Sequence, residues 1–377
     1  MKQRAIVVAF LATVLVFLWQ ISTVHFNYGG NWTGLFCTGA TQPVPPELDA
    51  GTRRASSPVG YDGQMYRYIA HDPFFQKDYA IYVDDARLRY RRILVPLAAY
   101  LLAGGRQSII DYAFVVVVLL SVFAGCYWSG RYCLLRNRSP WWGLIFLLSP
   151  ATITSFDRML VDGALAALFA GFLVYAERRD WRSLMILCAL AALTRDTGVL
   201  FAAAVVIAAF LQREYKRAVL FALTALPAGA WAIYVAAHTR PSSAYQILTY
   251  PLLGHLQQFL VFRTDPTPWV QSILRISDLA ALIGLLVCLG LAVYAIRREP
   301  VREIGICVAL FVMLGLVLGA PSHLIEAYGY ARPVSPVLLY LSLQPVPYML
   351  FAPLVLTLAV GLDLAWQVIG VLKGLSR

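Results

Sequence analysis

The chain has 377 residues, of which 60% are hydrophobic and only 14% are charged, with a net charge of +11. So few charged side chains cannot cover a soluble protein of this size, and the composition predicts a protein that uses lipid as part of its solvent. The positive charge does not indicate nucleic acid as a partner, because Lys and Arg stand mostly in small groups between apolar runs, as in membrane-protein loops.

The first apolar run follows Lys2 and Arg4, as in a signal peptide. Residues 21–26 offer no small-x-small cleavage site, so we predict an uncleaved membrane helix. Similar runs recur without a second domain boundary and predict an all-α polytopic membrane protein, a single integral membrane domain over residues 1–377. The predicted helices, about ten in number, cover residues 5–22, 110–130, 141–156, 161–176, 183–194, 199–212, 218–237, 275–296, 303–320 and 349–372.

The distribution of basic residues predicts the orientation. Arg and Lys concentrate in alternate connections, at residues 131–138, 177–182, 213–217 and 297–303. The positive-inside rule therefore predicts that these connections and both termini are cytoplasmic, in a bacterial inner membrane. The external segments are then two tight turns near Asp157 and Arg195 and three longer stretches, residues 23–109, 238–274 and 321–348.

Two apolar pieces in the external segments, residues 92–104 and 334–344, are too short to cross a membrane. A crossing needs roughly 20 residues. We therefore predict interfacial or re-entrant helices there, so that the long first external loop carries juxtamembrane helices.

Two helical hairpins, residues 141–176 and 183–212, have legs of about 15 residues, or roughly 22 Å at 1.5 Å per residue. The hydrocarbon layer is about 30 Å thick. The outer turns of these hairpins should therefore lie below the outer lipid surface. Charges at that depth are costly unless they are paired or face a wet cavity. The charges in these turns, which predict a recessed polar site on the outer face, are Asp157, Arg158, Asp162, Arg195 and Asp196.

Asp62 stands at the start of an aromatic, amphipathic segment that Pro73 ends, a composition suited to a helix lying in the membrane interface. Asp62 is either an N-cap that accepts backbone N–H groups or a functional carboxylate held at the membrane surface. The two roles are compatible, and the sequence leaves both open.

A run of arginines follows in the same loop and includes Arg89 and Arg91. Several guanidiniums near a lipid interface can grip a phosphate or pyrophosphate through paired hydrogen bonds. Alternatively they pair with Asp84, Asp85 and anionic headgroups. Arg195 has the same two interpretations, a phosphate ligand or a structural partner of a nearby aspartate. We favour function for Asp162 and Arg195, and a structural ion pair for Asp157 and Arg158.

The last external segment brings polar and aromatic side chains within ten positions of each other. Aromatic faces pack on sugar rings and an arginine supplies charge, so we predict sugar or phosphate recognition here. A lone histidine is more often a surface residue than a metal ligand, and no metal site is predicted. The residues concerned are His323, Glu326, Tyr328, Tyr330 and Arg332.

The order of these features resembles the GT-C superfamily of polytopic glycosyltransferases, which have a first helix, a long outer loop with an acidic residue and juxtamembrane helices, and then short helical hairpins. The Asp-containing start of the loop and the Thr-Arg-x-Thr-Gly turn are similar to mannosyltransferases of the PIG-V type and related bacterial membrane proteins. The resemblance covers roughly residues 1–215, and the motifs that carry it are Tyr61-Asp62-Gly63-Gln64, the arginine run into Pro96, Asp162-Gly163 and Thr194-Arg195-Asp196-Thr197-Gly198.

The resemblance implies a hexosyltransferase that moves a sugar, such as mannose, from a polyprenyl-phosphate carrier to an acceptor on the non-cytoplasmic face. Asp62 matches the first-loop acid that acts as general base. Many members have two adjacent acids there and this chain has one, which leaves the base and any divalent-metal requirement open; no cofactor is predicted. We predict donor-phosphate binding by Arg195, Arg89, Arg91 and Arg332, and substrate binding by Tyr61, Gln64, Tyr66, Asp162, Asp196, His323, Glu326 and Tyr328.

Two other functions use the same features. A transporter or flippase for a lipid-linked or amphiphilic anion would also need recessed cations, although such proteins usually have repeated halves and this chain has no internal repeat. A non-catalytic assembly subunit on the same scaffold would fit the reduced acidic pattern. Membrane lipids are partners under every interpretation.

Overall fold

The structure is a computed structural model, and it describes residues 2–241, 248–260, 267–319, 327–346 and 348–376. Apart from isolated bridges, the regular structure of these residues is helical. Short 3-10 helices lie at Trp32–Phe36, Tyr79–Tyr82, Pro140–Leu148 and Asp196–Gly198. The α-helices, in chain order, are α1 Lys2–Tyr28, α2 Pro46–Asp49, α3 Gly63–His71, α4 Ala86–Arg89, α5 Leu94–Leu102, α6 Gln107–Leu135, α7 Pro150–Arg158, α8 Asp162–Glu177, α9 Trp181–Thr194, α10 Val199–Leu211, α11 Tyr215–Leu223, α12 Leu226–His238, α13 Leu253–Gln258, α14 Pro268–Ile296, α15 Arg302–Val317, α16 Ala327–Ala331, α17 Ser335–Ser342, α18 Tyr348–Asp363 and α19 Ala365–Leu375.

Within the described ranges, four helices are long and apolar enough to cross a membrane, as expected of a helical membrane protein. The broken pair formed by α18 and α19, bent by 58°, would give a fifth crossing. The remaining predicted crossings coincide with shorter helices, so the predicted number of about ten stays a prediction. The four spans are Gln3–Tyr28, Gln107–Leu135, Tyr215–His238 and Pro268–Ile296.

One predicted helix, residues 141–156, is broken in the structure. A 3-10 helix ends at Leu148, Ser149 is extended with ψ 130°, and α7 begins at Pro150. Proline has no backbone N–H and a fixed φ, so it fits the first turn of a new helix better than the interior of a continuous one. The sequence prediction missed this break because it extended the apolar run that ends at Leu148 across Ser149 and Pro150 into the more polar α7.

The two short apolar pieces are short helices, α5 and α17. The side chains of α5 are partly exposed, whereas α17 is buried along its whole length. Residues 335–342 therefore form a helix packed inside the bundle, and its interfacial or re-entrant position in the membrane stays a prediction.

The core consists of two apolar clusters that meet at α6. The larger cluster packs α8 against α6, α9, α15 and α17, with α1 against α6, and the smaller one packs α3 and α5 against the first half of α6. Almost every residue of α8 is buried, as expected of a helix that is apolar all round. Among its buried residues the charged one is Asp162 in the first turn, where a carboxylate is favoured by the helix dipole.

Candidate functional site

Two aspartates and three arginines from distant parts of the chain form one charged cluster. Asp62 Oδ1 lies 3.0 Å from Arg89 Nη2, and Asp62 Oδ2 lies 3.0 Å from Arg332 Nη1. The same Arg332 nitrogen lies 3.5 Å from Asp162 Oδ2, and Asp162 also pairs with Arg195. Arg332 therefore bridges the first loop and the buried helix α8, and all five of these residues were predicted at the site.

The carboxylate of Asp62 does not cap α3. Asp62 occupies the N-cap position, but its side chain accepts no capping hydrogen bond. It turns instead to the two guanidiniums of Arg89 and Arg332. Burial alone would raise the pKa of Asp62, but these two cations outweigh it and hold the pKa well below its usual range. The interpretation of the Asp62 side chain as an N-cap is therefore wrong, and its carboxylate belongs to the charged cluster.

Gly63 explains how Asp62 reaches this position. A Cβ at Gly63 would overlap the carbonyl oxygen of Arg158 and would lie 3.0 Å from that of Phe36. Only glycine lets the start of α3 approach these two backbone segments so closely. The glycine therefore sets the position of α3, and of Asp62 before it, against the C-terminal end of α7.

A second group of ion pairs surrounds Asp196. Arg91 Nη2 lies 3.2 Å from Asp196 Oδ1, and Arg92 Nε lies 3.1 Å from Asp196 Oδ2. Arg92 Nη1 also donates to the hydroxyl of the buried Tyr66 at 3.1 Å. Burial alone would raise the pKa of Tyr66, but Arg92 and then Arg89 outweigh it, and the pKa is lowered. Tyr66 and Asp196 thus link the arginine run to the turn that begins at Arg195.

Arg92 is a residue that the sequence interpretation missed. It is more buried than Arg91, with 11% of its side chain exposed against 41%. The available signal was its position at the boundary between the arginine run and the apolar stretch that starts at Ile93. A guanidinium there is drawn inward with its apolar neighbours and needs polar partners.

Tyr61 lies between two cations. The guanidinium of Arg332 lies 5.2 Å from the centre of its ring and that of Arg158 lies 5.5 Å away. Arg158 also binds Asp157 at 3.0 Å, which is the predicted ion pair, and donates to the sulfur of Cys37 at 2.8 Å. The ring therefore stabilises the position of Arg332 through cation–π contact.

Gln64 has a structural role. Its Oε1 accepts a hydrogen bond from the Gly39 amide at 3.1 Å, and its Nε2 donates to the Val59 carbonyl at 2.9 Å. The side chain is 2% exposed. Its amide holds the first loop together, and substrate binding by Gln64 stays a prediction.

Three predicted residues from the last external segment cannot be placed. His323 and Glu326 lie outside the described residues, and so does the side chain of Tyr328. Tyr330 is buried, and its hydroxyl lies 3.5 Å from the carbonyl oxygen of Asp278. Among the residues that the structure describes, no group of three or more His, Cys, Asp or Glu side chains could hold a metal ion.

The charges of the two linked groups favour an anion. Five guanidiniums pair with four carboxylates, which leaves one formal positive charge in excess among these described residues. The guanidiniums are those of Arg89, Arg91, Arg92, Arg195 and Arg332, and the carboxylates are those of Asp62, Asp84, Asp162 and Asp196. A cavity of about 480 Å³ adjoins the cluster. Asp84 connects the two, since it lies in the wall of the cavity and binds Arg89 at 2.8 Å. Residues 80, 81, 83–87 and 238–241 supply its lining.

Comparison of the chain with protein-family models, with curated proteins and with solved structures found no match. The resemblance to the GT-C superfamily remains a prediction from the sequence. The described residues define a class of protein. It is helical, with several apolar helices consistent with membrane embedding. It carries a cluster of arginines and aspartates at one end of the buried helix α8.

Proposed function

We propose that this chain is a membrane-bound transferase that breaks a bond to a phosphate leaving group. More particularly, we propose a glycosyltransferase of the GT-C type. It moves a hexose, such as mannose, from a polyprenyl-phosphate-linked donor to an acceptor on the non-cytoplasmic face of the membrane.

One observation carries the proposal. Arg332 lies within 3.0 Å of Asp62 and 3.5 Å of Asp162, so a carboxylate able to accept a proton is in direct contact with cations able to hold a phosphate. Arg89 and Arg195 add two more guanidiniums to the same cluster. A leaving phosphate and an attacking hydroxyl need these two kinds of group within a few ångströms of each other.

The chemistry follows from this arrangement. The acceptor oxygen attacks the anomeric carbon and its proton passes to Asp62, as expected for a general base. The bond from the anomeric carbon to the phosphate oxygen breaks, and its electron pair stays on the phosphate. The guanidiniums of Arg89, Arg195 and Arg332 stabilise that negative charge. The sugar is transferred in one displacement with inversion at the anomeric carbon.

The test is transfer of radiolabelled sugar from polyprenyl-phosphate mannose and polyprenyl-phosphate glucose to a panel of acceptors by the purified protein in nanodiscs. We expect transfer by the wild type and a loss of about 100-fold or more in Asp62→Asn, since general bases contribute roughly 10²–10⁴-fold. Asp49→Asn is the matched control, because Asp49 lies in the same loop and binds only Arg54 among its described ion pairs, 2.6 Å away. We expect its rate to stay within about twofold of wild type.

Retained transfer in Asp62→Asn would remove Asp62 as the base. Absence of transfer with every donor would contradict the enzyme proposal. Movement of labelled donor across sealed proteoliposomes in that case would support the flippase alternative.

A further inference from the structure

The guanidiniums assigned to the donor phosphate are already occupied by carboxylates. Arg332 is shared by Asp62 and Asp162, and Arg89 is shared by Asp62 and Asp84. A phosphate cannot use the same N–H groups while Asp62 holds them. Binding of the phosphate therefore requires an exchange of partners at Arg89 and Arg332.

We propose that Asp62 is an internal counterion, and that a phosphate monoester or diester displaces it from Arg89 and Arg332 when it binds. The displaced carboxylate then faces the acceptor without its cationic partners. The step is a change of ion pairs and breaks no covalent bond. The second half of this inference, in which the released Asp62 acts as base, rests on the proposed function; the first half does not.

The exposure of the two carboxylates indicates which one is displaced. The side chain of Asp62 is 25% exposed, and those of Arg89 and Arg332 are 13% and 11% exposed. The side chain of Asp162 is only 2% exposed, and it is paired with Arg195 as well as Arg332. Moving Asp162 would leave a buried carboxylate without a partner, which is costly. Asp62 can instead move into the solvated part of the site.

The geometry of the guanidiniums suits the exchange. Asp62 presents one oxygen to Arg89 and the other to Arg332, at 3.0 Å each. A phosphate monoester or diester presents two non-bridging oxygens at a similar spacing, and a monoester carries a third for a further donor. The phosphate group can therefore take both contacts that Asp62 makes, and Arg195 belongs to the same cluster, because it shares Asp162 with Arg332.

The exchange also explains how a clamped carboxylate can act as a base. Two guanidiniums depress the pKa of Asp62, so in the unoccupied site it is a weak proton acceptor. Loss of those two contacts to a phosphate raises its basicity at the moment when the leaving group is in place. Proton removal from the acceptor then depends on prior binding of the donor, and we expect ordered binding with the donor first.

The test is binding of farnesyl phosphate to the full-length protein in phosphatidylcholine nanodiscs, measured by titration calorimetry, with inorganic phosphate as a second probe and farnesol as the uncharged control. Removal of the competing carboxylate in Asp62→Asn should tighten phosphate binding by roughly tenfold or more, the value of a hydrogen-bonded contact to a charged group. Asp84→Asn frees only Arg89 and should give a smaller gain. Asp49→Asn, with the same change in net charge, should leave the affinity within about twofold.

Unchanged or weaker phosphate binding by both Asp62→Asn and Asp62→Ser would overturn the proposal. Two uncharged variants are used, each with a melting curve, so that a folding defect in one of them is recognised. Tightening with either phosphate probe supports the exchange. A preference for farnesyl phosphate identifies a lipid-linked source, and equal affinity identifies free phosphate.

If phosphate binding tightens in Asp62→Asn but the wild type transfers no sugar, the counterion role stands and the transferase proposal fails. Sugar transfer without tightening supports the transferase proposal and overturns the counterion role.

Discussion

Neighbouring residues at the start of α3 have separate tasks. Asp62 supplies the carboxylate that contacts Arg89 and Arg332, whereas Gly63 lets the backbone approach the carbonyl oxygen of Arg158. The sequence predicted that Asp62 matters but could not separate capping from function, because aspartate serves both equally well. The direction of the side chain depends on Arg332, which lies 270 positions away.

Gly63→Ala should destabilise the protein and weaken the charged cluster. The added methyl group must displace the backbone of Arg158, and overpacking of this kind costs about 1–3 kcal/mol. We expect a lower apparent Tm in detergent, followed by the change in intrinsic fluorescence on heating. Gly51→Ala is the control, since a Cβ at Gly51 has nothing within 4 Å and should leave the Tm unchanged. Equal Tm values for the two variants would contradict the close-approach argument.

At the scale of secondary-structure elements, the site is assembled from ends. It combines the segment before α3, the segment between α4 and α5, the first turn of α8, the turn between α9 and α10, and the connection between α16 and α17. Each end has backbone groups and charges that the helix interior cannot satisfy. Because these helix ends meet, their arginines and aspartates contact one another.

Asp162 and Asp196, two of the ion-paired aspartates of this assembly, should differ in their effect on stability. Asp162→Asn leaves Arg195 and Arg332 facing a neutral group at a site where the carboxylate is 2% exposed, and breaking a buried pair costs about 3–5 kcal/mol. Asp196→Asn acts at a side chain that is 34% exposed, where ion pairs contribute about 1 kcal/mol or less. Thermal unfolding of both variants under one detergent condition measures the difference. A larger loss of Tm in Asp196→Asn would contradict this ranking.

At the scale of the whole molecule, ion pairs also tie together connections that the positive-inside rule predicts to be cytoplasmic. Arg136 lies 2.6 Å from Glu177 and 2.7 Å from Glu299, and Arg217 lies 3.1 Å from Glu303. These groups lie near the ends of α6, α8 and α14 and the starts of α11 and α15. The bundle therefore has a charged cluster at each end, and the one around Asp62 and Asp162 combines an excess of cations with an adjoining cavity.

Cysteine labelling tests the predicted orientation. All six native cysteines are buried, so a membrane-impermeant maleimide should react mainly with cysteines introduced at exposed positions. In intact cells we expect labelling of Ile81→Cys, in the first loop, and protection of Gln212→Cys, next to the basic connection at residues 213–217, until the membrane is permeabilised. Ile81 is 76% exposed and Gln212 is also exposed. Equal labelling of both in intact cells would contradict the orientation drawn from basic residues.

The sequence by itself determined most of the helical architecture, because a helix satisfies its own backbone and its apolar length is a local property. The predicted helices at residues 110–130, 161–176 and 183–194 coincide with α6, α8 and α9. The break at Pro150 was a local feature that the prediction missed, although a proline inside an apolar run indicates a helix boundary.

The partners of the charged residues were decided only by the tertiary structure. Arginine and aspartate can pair within a loop, across a hairpin or with a ligand, and the sequence left these possibilities open for Arg89 and Arg195. Packing of α8 at the centre of the bundle makes burial of Asp162 unavoidable, and a buried carboxylate must be paired. That requirement brings Arg195 and Arg332 to Asp162, and through Arg332 it reaches Asp62.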